Sequence, residues 1–321
     1  MKEFDLLILI ETPYAAEGRQ ILALIKKKAP DTEIGEVIDS IHKQETEQGV
    51  SDPLVASTDA LVTSICFTGS ASLSHVLSCI ERNKERLLNI GPQSETARQQ
   101  VIESVVNYWE HRLGTAVTLV DKLINYGIVS PQSVISWALG SERLGNGIRL
   151  SKIHIYEVVV GTMTKVTHRL RQVAAYKVQA AKAAKLGNPL PEEQVAQIEE
   201  RLSIERDGMR QLFALIDDAV SGLAAGAADG FIEADAFTDE EARLVKVWGE
   251  RWARVFRRKS AVEEAVVGED AIAASIALAE AEAEKEQLKQ TEEPMETEEE
   301  VNGNENGDGN GDATKMDEDA P

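Results

Sequence analysis

Apolar residues recur at three- and four-residue spacing along most of the first 140 positions, the period of amphipathic helices. The clearest stretch is 115–144. Ala116, Val117, Val120, Leu123 and Ile124 form one stripe, and Gly127 follows as a left-handed stop. Ser130 then stands as N-cap with Pro131 at the first helical position, ahead of a second stripe of Val134, Trp137 and Ala138. Such a helical hairpin cannot bury both its faces alone. Upstream, helices are expected on Ile21, Leu22, Leu24 and Ile25, and on Ile34, Val37, Ile38 and Ile41 behind an Asp31 cap. Asp52-Pro53 starts a third helix carrying Leu54, Leu61, Val62 and Ile65; Ser70 or Ser72 starts a fourth reaching Leu88. After a Gly91-Pro92 break, Val101, Ile102, Val105, Val106 and Trp109 form another stripe. No stretch alternates with β-branched enrichment, so no sheet is expected.

The prolines suggest how these helices are grouped. Pro13, Pro53, Pro92 and Pro131 lie 40, 39 and 39 residues apart, each near an expected helix start. A period of about 40 residues built from two helices is that of a HEAT-like repeat. Chance alignment of four of the nine prolines is the competing explanation, and the helix pairs between them favour the repeat. The fold class read from the pattern is an all-α HEAT-like solenoid.

The pattern changes after a break at GNGI, residues 145–148. Tyr156, Val159, Met163, Val166, Leu170 and Val173 fit a and d positions of a heptad, which then weakens to alanine. A Gly187-Asn188-Pro189 tip turns the chain. Val195, Ile198, Leu202, Met209, Leu212, Ile216, Ala219 and Leu223 make the return seam, with Glu205 its one polar member. Residues 149–185 hold eight Lys and Arg against Glu157 alone, whereas 192–218 hold eight acids against Arg201, Arg206 and Arg210. Opposite signs on arms joined by a short tip predict a projecting antiparallel coiled-coil hairpin over 149–223. Beyond a loose Ala/Gly/Asp stretch at 222–237, Thr238 caps a last body helix with acids in its first turn. Past Ser260 an Ala/Glu run is expected to fray by about Lys289, so that 261–321 is an acidic, mostly disordered tail.

Charge changes the picture mainly by being uneven. Of the net −21, residues 261–321 contribute 20 acids against 3 bases, leaving 35 acids and 31 bases for the rest of the 321 residues. The near-balanced body neither repels nor attracts nucleic acid by bulk charge. Cys66 and Cys79, the two cysteines, both sit in apolar helical stretches and read as buried reduced thiols of an intracellular protein. Residues 6–10 are too short an apolar run to span a bilayer.

Reactive chemistry is scarce. His42, His75, His111, His154 and His168 are expected in different helices without metal-ligand spacing, and no phosphate-binding glycine loop or nucleophile elbow is present. The chain reads as a non-enzyme with no cofactor, no metal and no small-molecule substrate. Two basic clusters remain. The outgoing arm, with Lys165, Arg169, Arg171, Lys177, Lys182 and Lys185, either tracks a phosphate backbone or is a solvated face paired to the acidic return arm; the second explains more residues. Arg251, Arg254, Arg257, Arg258 and Lys259 read as an import signal or RNA contact, or equally as cations complementing a helix C-terminus.

Several stretches together carry a family resemblance. VTLVDKLINYGIVSPQSVISWAL contains Val120-Asp121-Lys122, Ile128-Val129 and Val134 with Trp137; IHIYEVVVGTMTKVTHRL opens a long helix with Tyr156-Glu157. SASLSHVLSCIERNKERL places Ser74-His75, and TPYAAEGRQILALIKKKAPDTEIGEVI begins the series. In this order they resemble the large subunit of the nuclear cap-binding complex, in its fungal form, over residues 12–259. The resemblance implies a MIF4G-like helical-repeat domain at 12–260, the third of three, with 1–11 departing from the family pattern as in a truncated product or a misplaced start. It further implies a scaffold that holds an RRM-type small subunit, which binds the 7-methylguanosine cap. Capped RNA would be reached through that subunit, in support of splicing, export and nonsense-mediated decay, in a nuclear, shuttling protein. No cap-contacting residue carries over to any position here.

Overall fold

The computed structural model describes residues 13–140, 147–224 and 238–292. All regular structure among them is helical. The first half runs α1 (Ala15–Lys27), α2 (Asp31–Glu47), α3 (Leu54–Gly69), α4 (Leu73–Arg82), α5 (Lys84–Leu88), α6 (Glu95–Tyr108), α7 (Leu113–Asn125) and α8 (Pro131–Leu139). The four prolines lie at or just before the starts of α1, α3, α6 and α8. Those four helices stack in sequence, α1 on α3, α3 on α6 and α6 on α8, with α2, α4 and α7 alongside. Stacking of the equivalent helix from unit to unit is how a HEAT-like solenoid builds a continuous core.

Local details follow from residue chemistry. Gly127 takes φ +75° after α7, Ser130 Oγ accepts the Ser133 N–H at 3.0 Å, and Pro131 opens α8, as the pattern predicts. Ser72, not Ser70, caps α4. Asp31 falls in the first turn of α2 without capping it, and Asn83 divides the predicted fourth helix into α4 and α5. The most enclosed helix is α3, where even Ser57, Thr58, Thr63 and Ser64 are buried. Ser64 relieves the cost of burial by donating to the Gly18 carbonyl of α1 at 3.0 Å.

Cys66 and Cys79 are free, buried thiols in this core. Burial pushes the Cys66 thiol up to about 12, far from the thiolate that reacts. Ellman's reagent at pH 8 is therefore expected to titrate no thiol in the native protein and both in urea. Stoichiometric reaction of the native chain would contradict the burial.

The second half is built from four long helices: α9 (Ile153–Lys185), α10 (Glu192–Ala224), α11 (Asp239–Val267) and α12 (Glu269–Glu292). At 33 residues each, α9 and α10 are about 50 Å long. Lys177 meets Glu199 at 3.2 Å and Arg169 meets Glu205 at 3.9 Å, so the two run antiparallel. Val159, Met163, Val166, Leu170 and Val173 are buried along α9, as are Leu202, Met209, Leu212, Ile216 and Leu223 along α10. Val195, predicted in the seam, is 39% exposed.

The pair does not project bare: α11 lies along α10, and α12 lies along α9. A second stripe on α10, Arg206, Phe213 and Val220, is buried. It was not part of the predicted seam, and it gives α10 a second packed side. Trp252 of α11 donates to the Leu150 carbonyl at 3.1 Å and packs edge-on against Tyr156 at 5.3 Å, closing α11 onto the start of α9.

The expectation for the C-terminal segment is corrected in the same way. Residues 261–267 complete α11 and 269–292 form α12, so a boundary at 260 falls inside a helix. Ile272, Ala279 and Ala283 are buried and Ile276 packs beside them, spaced four, three and four apart. That is a coiled-coil seam within the Ala/Glu run expected only as a helix fraying by about Lys289. The N-terminal residues 1–12, the break before Gly147, the loose stretch at 225–237 and the tail 293–321 lie outside the described residues.

Candidate partner and nucleic-acid interface

The cations of the outgoing arm are each matched to acids. Lys165 Nζ lies 2.9 Å from Asp121 and donates to the Asn125 side-chain Oδ1 at 2.7 Å, tying α9 to α7. Arg169 and Lys177 meet the return arm at Glu205 and Glu199. The other partners were not anticipated. Arg171 forms a two-pronged pair with Glu263 of α11, both contacts at 2.8 Å. Lys182 lies 2.9 Å from Glu286 and 3.7 Å from Glu282, and Lys185 lies 3.1 Å from Glu284. The Glu286 and Glu284 carboxylates raise the two ammonium groups above their ordinary values. The predicted neutralisation of a basic arm thus occurs, but the return arm supplies it for Arg169 and Lys177 and the C-terminal helices for Arg171, Lys182 and Lys185.

Arginines of the return arm point the same way. Arg206, only 7% exposed, donates to the Val267 carbonyl at 2.9 Å and to Glu269 at 3.0 Å. Arg210 is shared by Glu264, at 2.7 and 2.9 Å, and Glu269, at 2.8 and 3.2 Å. Its guanidinium holds the Glu269 carboxyl down at about 2 and lowers that of Glu264. Heptad reasoning had put Glu205 in the seam and left Arg206 outside. The spacing of Arg206, Phe213 and Val220, seven apart, was the legible signal of a second buried stripe.

The second cluster divides. Arg257 grips Asp217 at 2.6 and 3.1 Å and Ser221 at 2.8 Å, so it is a packing cation between α11 and α10. Lys259 is half-buried in a small cavity beside Phe213, His168 and Glu263. Arg251 lies over the Trp248 ring, 5.1 Å from its centroid, a cation–π contact. Arg254 and Arg258 are exposed, and neither has an ion pair among the described residues. The five basic residues therefore do not form one site.

Histidines do not converge either. His154 and His168 share α9, contrary to the expected scatter over different helices; His42 bonds Ser57 at 2.7 Å and His168 bonds Gln172 at 3.0 Å. Among the described residues no group of three His, Cys, Asp or Glu is arranged to hold a metal, and no helix is long and apolar enough to cross a membrane.

Known proteins give this geometry a family. The family model described as MIF4G like matches residues 6–265. Nuclear cap-binding protein subunit 1 of Schizosaccharomyces pombe is 25% identical over 167 residues, 51% of this chain and 20% of that protein. The protein of that name from Aedes aegypti is 23% identical over 166 residues, and the one from Anopheles gambiae 22% over 166, each covering 50% of this chain. The chain spans about a fifth of the length of the curated relatives it matches. With a matched region that takes in every helix from α1 to α10 and all but the last two residues of α11, the chain belongs to the MIF4G-like family.

Proposed function

We propose that this chain acts in a nuclear cap-binding complex as part of a large-subunit scaffold. Its solenoid holds an RRM-type small subunit, and that subunit binds the 7-methylguanosine cap of polymerase II transcripts. The scaffold would thereby serve splicing, export and nonsense-mediated decay, in the nucleus and on transcripts leaving it. The carrying observation is the match over half the chain to proteins named nuclear cap-binding protein subunit 1. A stacked helical solenoid supports it, because such folds offer long surfaces for other proteins. The reading assigns this chain no catalysis and no cofactor.

Co-purification tests it. The full chain is expected to bind the small subunit, to stay on 7-methylguanosine resin only in that subunit's presence, and to elute with free cap analogue. No association, even with the preceding domains supplied in trans, would sink the proposal.

The alternative, direct RNA binding through basic helices, loses support on α9, where Lys177, Lys182 and Lys185 are all engaged by carboxylates. It retains support from exposed Arg254 and Arg258 on α11. RNA affinity that is flat with salt would exclude it, since phosphate contacts release counterions.

A further inference from the structure

The outer face of α11 carries two adjoining rows. Arg251, Arg254 and Arg258, three and four residues apart, share one face of the helix, and Arg243 extends the row two turns back. All four are exposed, and none has an ion pair among the described residues. Glu250, one turn from Arg254, makes no pair with it. The contrast with the neighbouring helices is sharp, because Arg171, Lys177, Lys182, Lys185, Arg206 and Arg210 all face acids.

The second row is apolar. Leu244 is 50% exposed, Val262 49% and Val266 47%, with half-buried Val255 between them. Positions 244, 255, 262 and 266 are separated by near-whole turns, so they line up along about 33 Å of helix. Val255 packs partly against the core, while about half of the Leu244, Val262 and Val266 surfaces stays open among the described residues. Aliphatic side chains standing in water beside a row of cations are costly unless another surface buries them.

We infer that this face of α11 docks an acidic amphipathic helix of a partner protein. The partner's apolar stripe covers Leu244, Val255, Val262 and Val266, and its carboxylates meet Arg251, Arg254 and Arg258. A helix of about 22 residues spans the rows. Nucleic acid fits the face less well. Bases stack on aromatic rings, and the one nearby ring, Trp248, is already covered by Arg251. The aliphatic row offers a nucleic acid nothing, whereas it gives a peptide the desolvated contact that makes helix-on-helix recognition stable. This inference stands independently of the cap-complex reading, since it rests on α11 alone.

The test uses the full chain and two labelled probes: a synthetic 22-residue peptide with leucine at heptad a and d positions and glutamate at the flanking ones, and a 20-nucleotide oligouridylate. Fluorescence anisotropy is expected to show saturable peptide binding. Replacing Arg251→Glu, Arg254→Glu and Arg258→Glu together should weaken it by about tenfold or more. Replacing Leu244→Ser, Val262→Ser and Val266→Ser together should weaken it by about fivefold or more, the worth of burying three such groups partly. All six side chains are on the surface, and unchanged helical circular dichroism and melting would show both variants folded. Peptide binding that survives either triple change overturns the inference. So does tighter binding of the oligouridylate through the same arginines, which would make the face a nucleic-acid surface.

Discussion

Replacing Trp137 with alanine is expected to remove about 3–5 kcal/mol of folding stability, the range for deleting a buried tryptophan. That is a large part of the roughly 5–15 kcal/mol that holds a typical domain together. Trp137 is completely buried in α8, a nine-residue helix that packs on α6, α9 and α10. Its indole N–H donates to Glu103 of α6 at 2.6 Å, and the Arg149 guanidinium lies 4.4 Å from its ring centroid, just before α9. One side chain thus joins the last repeat of the solenoid to the long-helix half. Urea titration followed by circular dichroism measures the loss. Trp137→Phe, which keeps most of the ring but not the N–H, should lose distinctly less. Equal losses would mean that the hydrogen bond to Glu103, and not ring burial, carries the effect. A loss under about 1 kcal/mol for alanine would mean that α8 is not the junction it looks to be.

The same tryptophan shows what could be read from the chain and what could not. Residues 115–139 announce their fold locally: a stripe, a left-handed glycine, a serine cap and a proline at the first helical position each act within a few residues. The prolines placed this hairpin in a repeat because each unit buries its face on the next, which forces a regular spacing. The long-helix half was harder. Heptads fixed the α9 and α10 seam, but a heptad has no address for a third helix, and alanines such as Ala279 and Ala283 read as mere helix formers. Arg206 was legible only as a member of a seven-residue spacing, and its role was hidden for a related reason. Buried arginine is recognised by its partners, and those partners, Val267 and Glu269, lie about 60 residues away. The basic clusters were legible as composition only. Whether an arginine grips Asp217, as Arg257 does, or faces water, as Arg254 does, depends on which neighbour the fold brings near.

Arg206 is where the undocking of α12 should be easiest to provoke. Substituting Arg206→Ala leaves the Val267 carbonyl, at the C-terminus of α11, without its side-chain donor, and removes one of the two guanidinium groups on Glu269. An unmatched buried carbonyl costs about 1–3 kcal/mol, and here the cost falls on the α11–α12 junction. Hydrogen exchange in α12 should accelerate by about tenfold or more, while exchange in α3 and α6 stays at the wild-type rate. Uniform acceleration would mean that Arg206 supports the whole fold and not the docked helix. Acid should reach the same endpoint in the wild-type protein. Glu269 is held at about 2 by hydrogen bonds from Arg210, and Glu264 is lowered by the same group. Both therefore bind protons less readily folded than unfolded, where a glutamate titrates near about 4.3. Their contribution to docking is fully present above that value and fades as the pH falls through about 4 toward about 2. Protection of α12 should drop across that window before protection of α3 does. Because Lys182 and Lys185 also hold α12 through glutamates, molar salt at neutral pH should loosen the helix further along its length but leave the buried Arg206–Val267 contact in place. If the protection of α12, relative to the intrinsic exchange rate at each pH, is the same at pH 6 and pH 2.5, the arginine–carboxylate cluster is not what docks it, and the Ile272, Ile276, Ala279 and Ala283 seam must hold it alone.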